Sequence, residues 1–161
     1  MQDYLEHVTN ELSSPLMSSN TSTPQWHAAF PTPTLSAESI SPSQLADILL
    51  DPKSQVLRDY VVVDVRRTVT DFEEFAIPGC LNLPAHSFYQ TLPTIVKLLE
   101  PVPLVVFHCN SCKEGGRGWR TAGWYRDAVT AGSSSKAVIL DGGIKGWIEQ
   151  FGHDERLCKR I

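Results

Sequence analysis

Apolar positions cluster in three short, nearly unbroken runs: YVVVDV at 60–65, LVVFHC at 104–109 and AVIL at 137–140. Runs of this length rich in β-branched residues predict strands covered on both faces, the habit of parallel sheets flanked by helices. The segments between them carry helical signals. Ser41 can cap a helix with Pro42 in its first turn and Gln44 closing a capping box ahead of LADILL. Pro78 and Gly79 predict a turn, after which CLNL makes a short strand. Residues 87–100 read as largely helical, with Pro93 interrupting or restarting the element. The stretch 118–132 predicts a helix whose positions 119, 122, 125 and 129 share one apolar face. IKGWIEQFG predicts a last amphipathic helix, stopped by Gly152. Strands alternating with helices imply a single α/β domain with a mainly parallel sheet flanked by helices, whose ligands bind beyond the carboxyl ends of the strands.

The pattern is absent upstream. Residues 1–23 are rich in Ser, Thr and Asn and predict a flexible tail. Residues 24–35 form a Pro-rich segment that either runs extended over the domain with Trp26 and Phe30 as anchors or is a linker. The domain itself is placed at 36–161.

Charge and cysteine usage narrow the chemistry. A net charge of −4 and a pI near 5.7 give no broad attraction for nucleic acid or an acidic membrane, so anion recognition has to be local. The first residues are acidic and polar, and no apolar run is long enough to span a bilayer, which predicts a cytoplasmic or nuclear protein. In such a reducing setting the pair Cys109 and Cys112 reads as catalytic, redox-active or metal-binding rather than as a structural bridge.

That pair opens the segment Cys109, Asn110, Ser111, Cys112, Lys113, Glu114, Gly115, Gly116, Arg117, Gly118, between a predicted strand and a predicted helix. Glycines permit the positive φ values that turn successive N–H groups towards one centre, and the helix start adds its unpaired amides and dipole. The Arg117 fork can hold two oxygens of a tetrahedral anion. A thiol in this field titrates well below the reference value of roughly 8.5. Three plainer readings stand beside this one: a glycine-containing turn with inert thiols, a zinc site using His108, and a thioredoxin-like dithiol. Cys80 is a candidate buried residue or alternative redox partner, Cys158 an incidental thiol in a polar terminal segment, and Trp119, Trp124 and Trp147 packing residues.

Over residues 36–152 the chain resembles the rhodanese superfamily. Asp64-Val65-Arg66 looks like its D-x-R, EFAIPGCLNLP like its hIPGAiNiP segment, and LDGGIKGW like its closing motif. The resemblance implies that Asp64 and Arg66 support and orient loops. Counted from Cys109, the loop resembles the HC-x5-R-G-x-R loop of cell-cycle dual-specificity phosphatases and fungal arsenate reductases, although seven residues separate Cys109 from Arg117 here. The two extra residues must widen the amide ring or bulge from it. Counted from Cys112, CKEGGR resembles the sulfurtransferase loop. WHAAFPTP, LNLPAHSFYQTLP and RGWRTAGWYRD resemble small fungal rhodanese-domain proteins, which tilts the reading to Cys109.

The resemblance therefore implies a cysteine enzyme acting on a phosphate or arsenate group, with Cys109 as nucleophile, Arg117 and the loop as oxyanion binders, and Cys112 as a resolving thiol. Glutathione or another thiol would serve as co-substrate, with no metal or cofactor. Glu114, Glu73 and Glu74 are candidate general acids. One alternative is sulfur transfer through a persulfide on Cys112 or Cys109, with Lys113 attracting the donor. The other is an inactive anion- or protein-binding module whose N-terminal segment meets a protein partner.

Overall fold

A computed structural model describes residues 23–161, so the predicted tail lies outside the described residues except for Thr23. The chain runs β1 (Glu38–Ile40), α1 (Pro42–Leu50), β2 (Tyr60–Asp64), β3 (Phe75–Ala76), β4 (Leu81–Asn82), α2 (Ala85–Leu99), β5 (Leu104–His108), α3 (Arg117–Ala128), β6 (Lys136–Leu140), α4 (Gly143–Phe151) and β7 (Lys159–Arg160). The capping box forms at α1, where the Ser41 hydroxyl accepts from the Gln44 N–H and the Gln44 side chain accepts from the Ser41 N–H.

Five strands make one parallel sheet in the order β1-β6-β5-β2-β4. Side chains alternate across it. Val61, Val63, Val105, Phe107 and Ile139 point to the face covered by α2 and α3, while Tyr60, Val62, Val106, Val138 and Leu140 point to the face covered by α1 and α4. This two-sided burial is why the strands read as continuous apolar runs. No helix among the described residues is long and apolar enough to cross a membrane.

Two expectations, on Pro93 and Cys158, need correction, and other features were not anticipated. Pro93 neither interrupts nor restarts α2, which is one continuous helix through it. Pro93 lies on the exposed face of α2, while Phe88, Leu92, Ile95, Val96 and Leu99 lock the opposite face onto the sheet. In α3 the predicted apolar face packs on the core, with Ala122 and Tyr125 buried and Trp119 and Val129 half-buried, but Gly118, Thr121, Gly123 and Trp124 are buried as well. The cause is a second covering layer, the N-terminal segment. β1 and the small antiparallel pair β3–β7 were not legible as strands. Cys158 is buried beside Leu157 and Trp147, not stranded in a polar tail.

Residues 24–36 form a strap across α3. The Trp124 indole N–H donates to the Pro31 carbonyl at 2.8 Å, and the Thr34 N–H and hydroxyl both donate to the Asp127 carboxylate at 2.7 Å. The approach requires Gly123, where an added Cβ would sit 2.5 Å from the Pro33 side chain. Trp26 and Phe30 both pack edge-on against Trp124.

Candidate active site

Cys109 follows the last residue of β5 and is 5% exposed. β5 lies between β2 and β6, so the segment after it emerges at the carboxyl end of the sheet's centre. His108, fully buried, sits with Nε2 3.5 Å from an Asp64 carboxylate oxygen. Burial pushes its pKa below the ordinary histidine value despite the pull of Asp64, so it is a neutral packing residue.

The loop curls through two left-handed residues, Cys112 at φ +50° and Gly115 at φ +71°. Gly116, expected to supply positive φ, has instead an extended backbone at φ −77°, ψ −176°. Glycine serves there because a Cβ would lie 2.8 Å from the Lys113 carbonyl oxygen. The Gly116 N–H donates to that same carbonyl at 2.9 Å, closing a turn in which Lys113 and Glu114 are exposed. The two extra residues therefore bulge outward rather than widening the ring.

The backbone amides of Gly118, Cys112 and Ser111 favour a negative charge on the Cys109 sulfur, and the Cys109 N–H itself donates to Cys112 Sγ at 3.2 Å. The Cys112 thiol lies 3.8 Å from the Cys109 sulfur. Hydrogen bonding from Cys112 is the largest influence on Cys109 and, with the three amides, outweighs burial to bring its pKa down to about 5. The proton stays on Cys112, whose pKa is driven far up by that bond, by burial and by the Cys109 charge. Gly118 makes room for both sulfurs, since a Cβ there would lie 2.9 Å from Cys112 Sγ.

α4 buttresses the loop from behind. The Ile144 N–H donates to the Cys109 carbonyl at 2.9 Å and the Lys145 N–H to the Asn110 carbonyl at 3.1 Å. Gly143, at φ +58°, permits this approach, because a Cβ would meet both carbonyl oxygens at 2.6 Å. With these two carbonyls drawn towards the helix, neighbouring N–H groups are left to face the thiolate.

A second loop, 66–75, closes the other side. The buried Asp64 carboxylate accepts from Arg66 Nε and Nη2, and Arg66 in turn donates to the carbonyls of Asp71 and Phe75 at 2.9 and 2.7 Å. This clamp sets down Asp71, which ion-pairs with Arg117 at 2.5 Å and also accepts from the Arg67 N–H and the Asn110 side chain. Burial would raise the Asp71 pKa, but the hydrogen bonds and charges of Arg117 and Arg67 overcome it, so the group stays ionised below the usual carboxylate range.

Cys109, Asn110, Ser111, Lys113, Gly116 and Arg117 line a pocket of about 430 Å³, joined by Trp26, Arg67 and His86. Cys112, Glu114, Gly115 and Gly118 do not line it, and neither do Glu73 or Glu74, both exposed. The acid near the site is Asp71, which sequence reasoning missed along with Arg67 and His86; a lone Asp in RRTVTDFEEF carries no local signal of its partner 46 positions on. Cys80 is half-buried in the α1–α4 core, and burial raises its pKa to about 11. Among the described residues no group of three or more His, Cys, Asp or Glu could hold a metal ion.

Residues 41–150 match the rhodanese-like domain. This chain belongs to that family. No curated protein matches it significantly. Among solved structures, yeast Ygr203w, a protein tyrosine phosphatase of the rhodanese family, is similar with a TM-score of 0.63 and 21% identity over 76% of this chain and 92% of its own. An As-Sb reductase from Leishmania major gives 0.53 and 20%, over 73% and 81%. RPA3614 of Rhodopseudomonas palustris, a possible tyrosine phosphatase, gives 0.53 and 16%, over 81% and 93%. At such identities the likeness establishes the fold. The rhodanese-like match leaves out the strap, β1 and β7, so Trp26 enters the pocket from outside the matched region.

Proposed function

We propose that this rhodanese-like domain is a thiolate enzyme of arsenate-reductase type, in which Cys109 attacks a tetrahedral oxyanion and Cys112 resolves the adduct. The placement of the two sulfurs carries the reading: Cys109 faces the pocket, and Cys112 lies 3.8 Å away on the core side, outside the pocket lining. The Cys109 thiolate bonds to arsenic in front of it and an arsenate hydroxyl leaves as water, taking its proton from a second hydroxyl of the same anion, with Arg117 and loop amides holding the anionic oxygens. Cys112 then attacks the Cys109 sulfur from behind, opposite the arsenic. The S–As electron pair stays with arsenic, arsenic(V) becomes arsenic(III), the Cys112 proton passes to the departing arsenite, and the two thiols become a disulfide. The sulfurs close to roughly 2.05 Å. A thiol such as glutathione then reduces the disulfide by exchange.

The same fold is seen in a yeast tyrosine phosphatase and a Leishmania As-Sb reductase. Ester hydrolysis needs only the Cys109 half of the site, but its leaving group wants a proton, and ion-paired Asp71 has none to give. Sulfur transfer through Cys112 is disfavoured, because that thiol holds its proton and is shut from the pocket.

The test is arsenite formation from arsenate and glutathione by the wild type, Cys109→Ser and Cys112→Ser. Each substitution is expected to lower turnover by ~10³-fold or more. Only Cys109→Ser should abolish alkylation by iodoacetamide at pH 6.5, where the wild-type thiolate is still formed. Arsenite production that survives loss of either cysteine would rule the mechanism out.

A further inference from the structure

The pocket is larger than an inorganic oxyanion requires. At about 430 Å³ it falls in the range of roughly 300–1,000 Å³ typical of sites that take a whole small molecule, and a four-oxygen anion occupies only the part over Cys109. Beyond that part the wall is aromatic. Trp26 lies against the His86 ring with centroids 4.9 Å apart and planes tilted by 36°. Its orientation is fixed by edge contacts with Trp124 at 6.0 Å and His27 at 5.2 Å. The strap that carries it is tied to α3 by hydrogen bonds from Trp124, Thr34 and Leu35. His86, at the first turn of α2, is kept from charging by burial and by the neighbouring Arg67 and Arg117, so the wall is a pair of neutral rings. Its Nδ1 is buried without a hydrogen-bond partner. Arg67, Lys113 and Arg117 line the same pocket, so cations and flat rings face one volume.

We infer that Trp26 is a specificity-determining residue of this site, selecting an oxyanion carried on a flat aromatic ring: the anion sits over Cys109 beside Arg117, and the ring packs against the wall made by Trp26 and His86. The inference rests on Cys109 marking the oxyanion end of the pocket. Stacking and ring burial give such a ligand an advantage of about tenfold over one without the ring. The strap is then part of the site and not an appendage to the rhodanese-like domain.

Protection of Cys109 from iodoacetamide, measured on the full chain, reports ligand occupancy without turnover. The probes are inorganic phosphate, methylphosphonate and phenylphosphonate, on the wild type, Trp26→Ala and Trp26→Phe. Phenylphosphonate is expected to protect the wild type at about tenfold lower concentration than methylphosphonate. Trp26→Ala should erase that preference, lowering protection by phenylphosphonate about tenfold more than protection by phosphate, and Trp26→Phe should restore it. A peptide bearing a phosphonate analogue of phosphotyrosine separates two sources of the ring: tighter protection than phenylphosphonate marks a protein side chain, and equal protection a free small molecule. No ring preference in the wild type, or equal weakening of all probes by Trp26→Ala, overturns the inference while phosphate protection keeps the Cys109 reading intact. If no probe protects Cys109, both fall.

Discussion

Two loops meet over Cys109, and they are held by opposite means. Residues 109–117 are fixed mainly by backbone: N–H groups of α4 take the carbonyls of Cys109 and Asn110, and close approaches at Gly116, Gly118 and Gly143 leave no room for a Cβ, with Arg120 on the Gly115 carbonyl adding a side-chain bond. Residues 66–75 are fixed by side chains, through the Asp64–Arg66 ion pair and the carbonyls Arg66 holds. The first loop is vulnerable to an atom added, the second to a group removed. The second loop spends its charges on shape, and through Asp71 it also engages Arg117 and Asn110 of the first.

The largest effect is expected where the side-chain clamp is cut. Asp64→Ala leaves the Arg66 guanidinium, 3% exposed, without its partner, and breaking a buried pair in this way typically costs about 3–5 kcal/mol. Chemical denaturation measures it, and a loss under 1 kcal/mol would show the clamp to be dispensable. Next comes an added atom in the backbone-held loop. Gly143→Ala places a methyl against two carbonyl oxygens at a positive φ, a strain of roughly 1–3 kcal/mol. Its sharper signature is chemical: as the loop shifts, the Cys109 pKa should rise, seen as a higher pH midpoint for alkylation. An unchanged midpoint would mean that α4 does not shape the thiolate site. The smallest effect belongs to Asp71→Asn. The Arg117–Asp71 pair is partly solvated, so stability should move by no more than ~1 kcal/mol. Removing the carboxylate frees Arg117, and phosphate should protect Cys109 several-fold better; weaker protection would show that Asp71 holds Arg117 in its binding pose.

The same contrast explains what could be read from the chain. β2, β5 and β6 were legible because burial on both faces writes itself into consecutive residues, and the 109–117 loop because its glycines, cysteines and arginine are contiguous. β1 and β7 were not, since three and two residues cannot establish a period and their pairing is set by partners far along the chain. Asp71 is the clearest case. It reaches Arg117 only because Arg66 holds its carbonyl, and no local pattern encodes a position created by another residue's hydrogen bond. Pro93 misled for the converse reason: a local rule was overridden by the buried face of α2.

The strap's contacts have a kinetic consequence. Thr34 bonds to Asp127, 93 residues away in sequence, and no sheet ladder secures the crossing. A segment held by a handful of hydrogen bonds and edge-packed rings opens at a free energy well below that of the whole domain. Each opening carries the Trp26 side of the pocket wall away with it. Local undocking of residues 24–36 is therefore expected to precede unfolding of the domain, with the Thr34 and Leu35 amides exchanging their hydrogens with solvent sooner than those of β5.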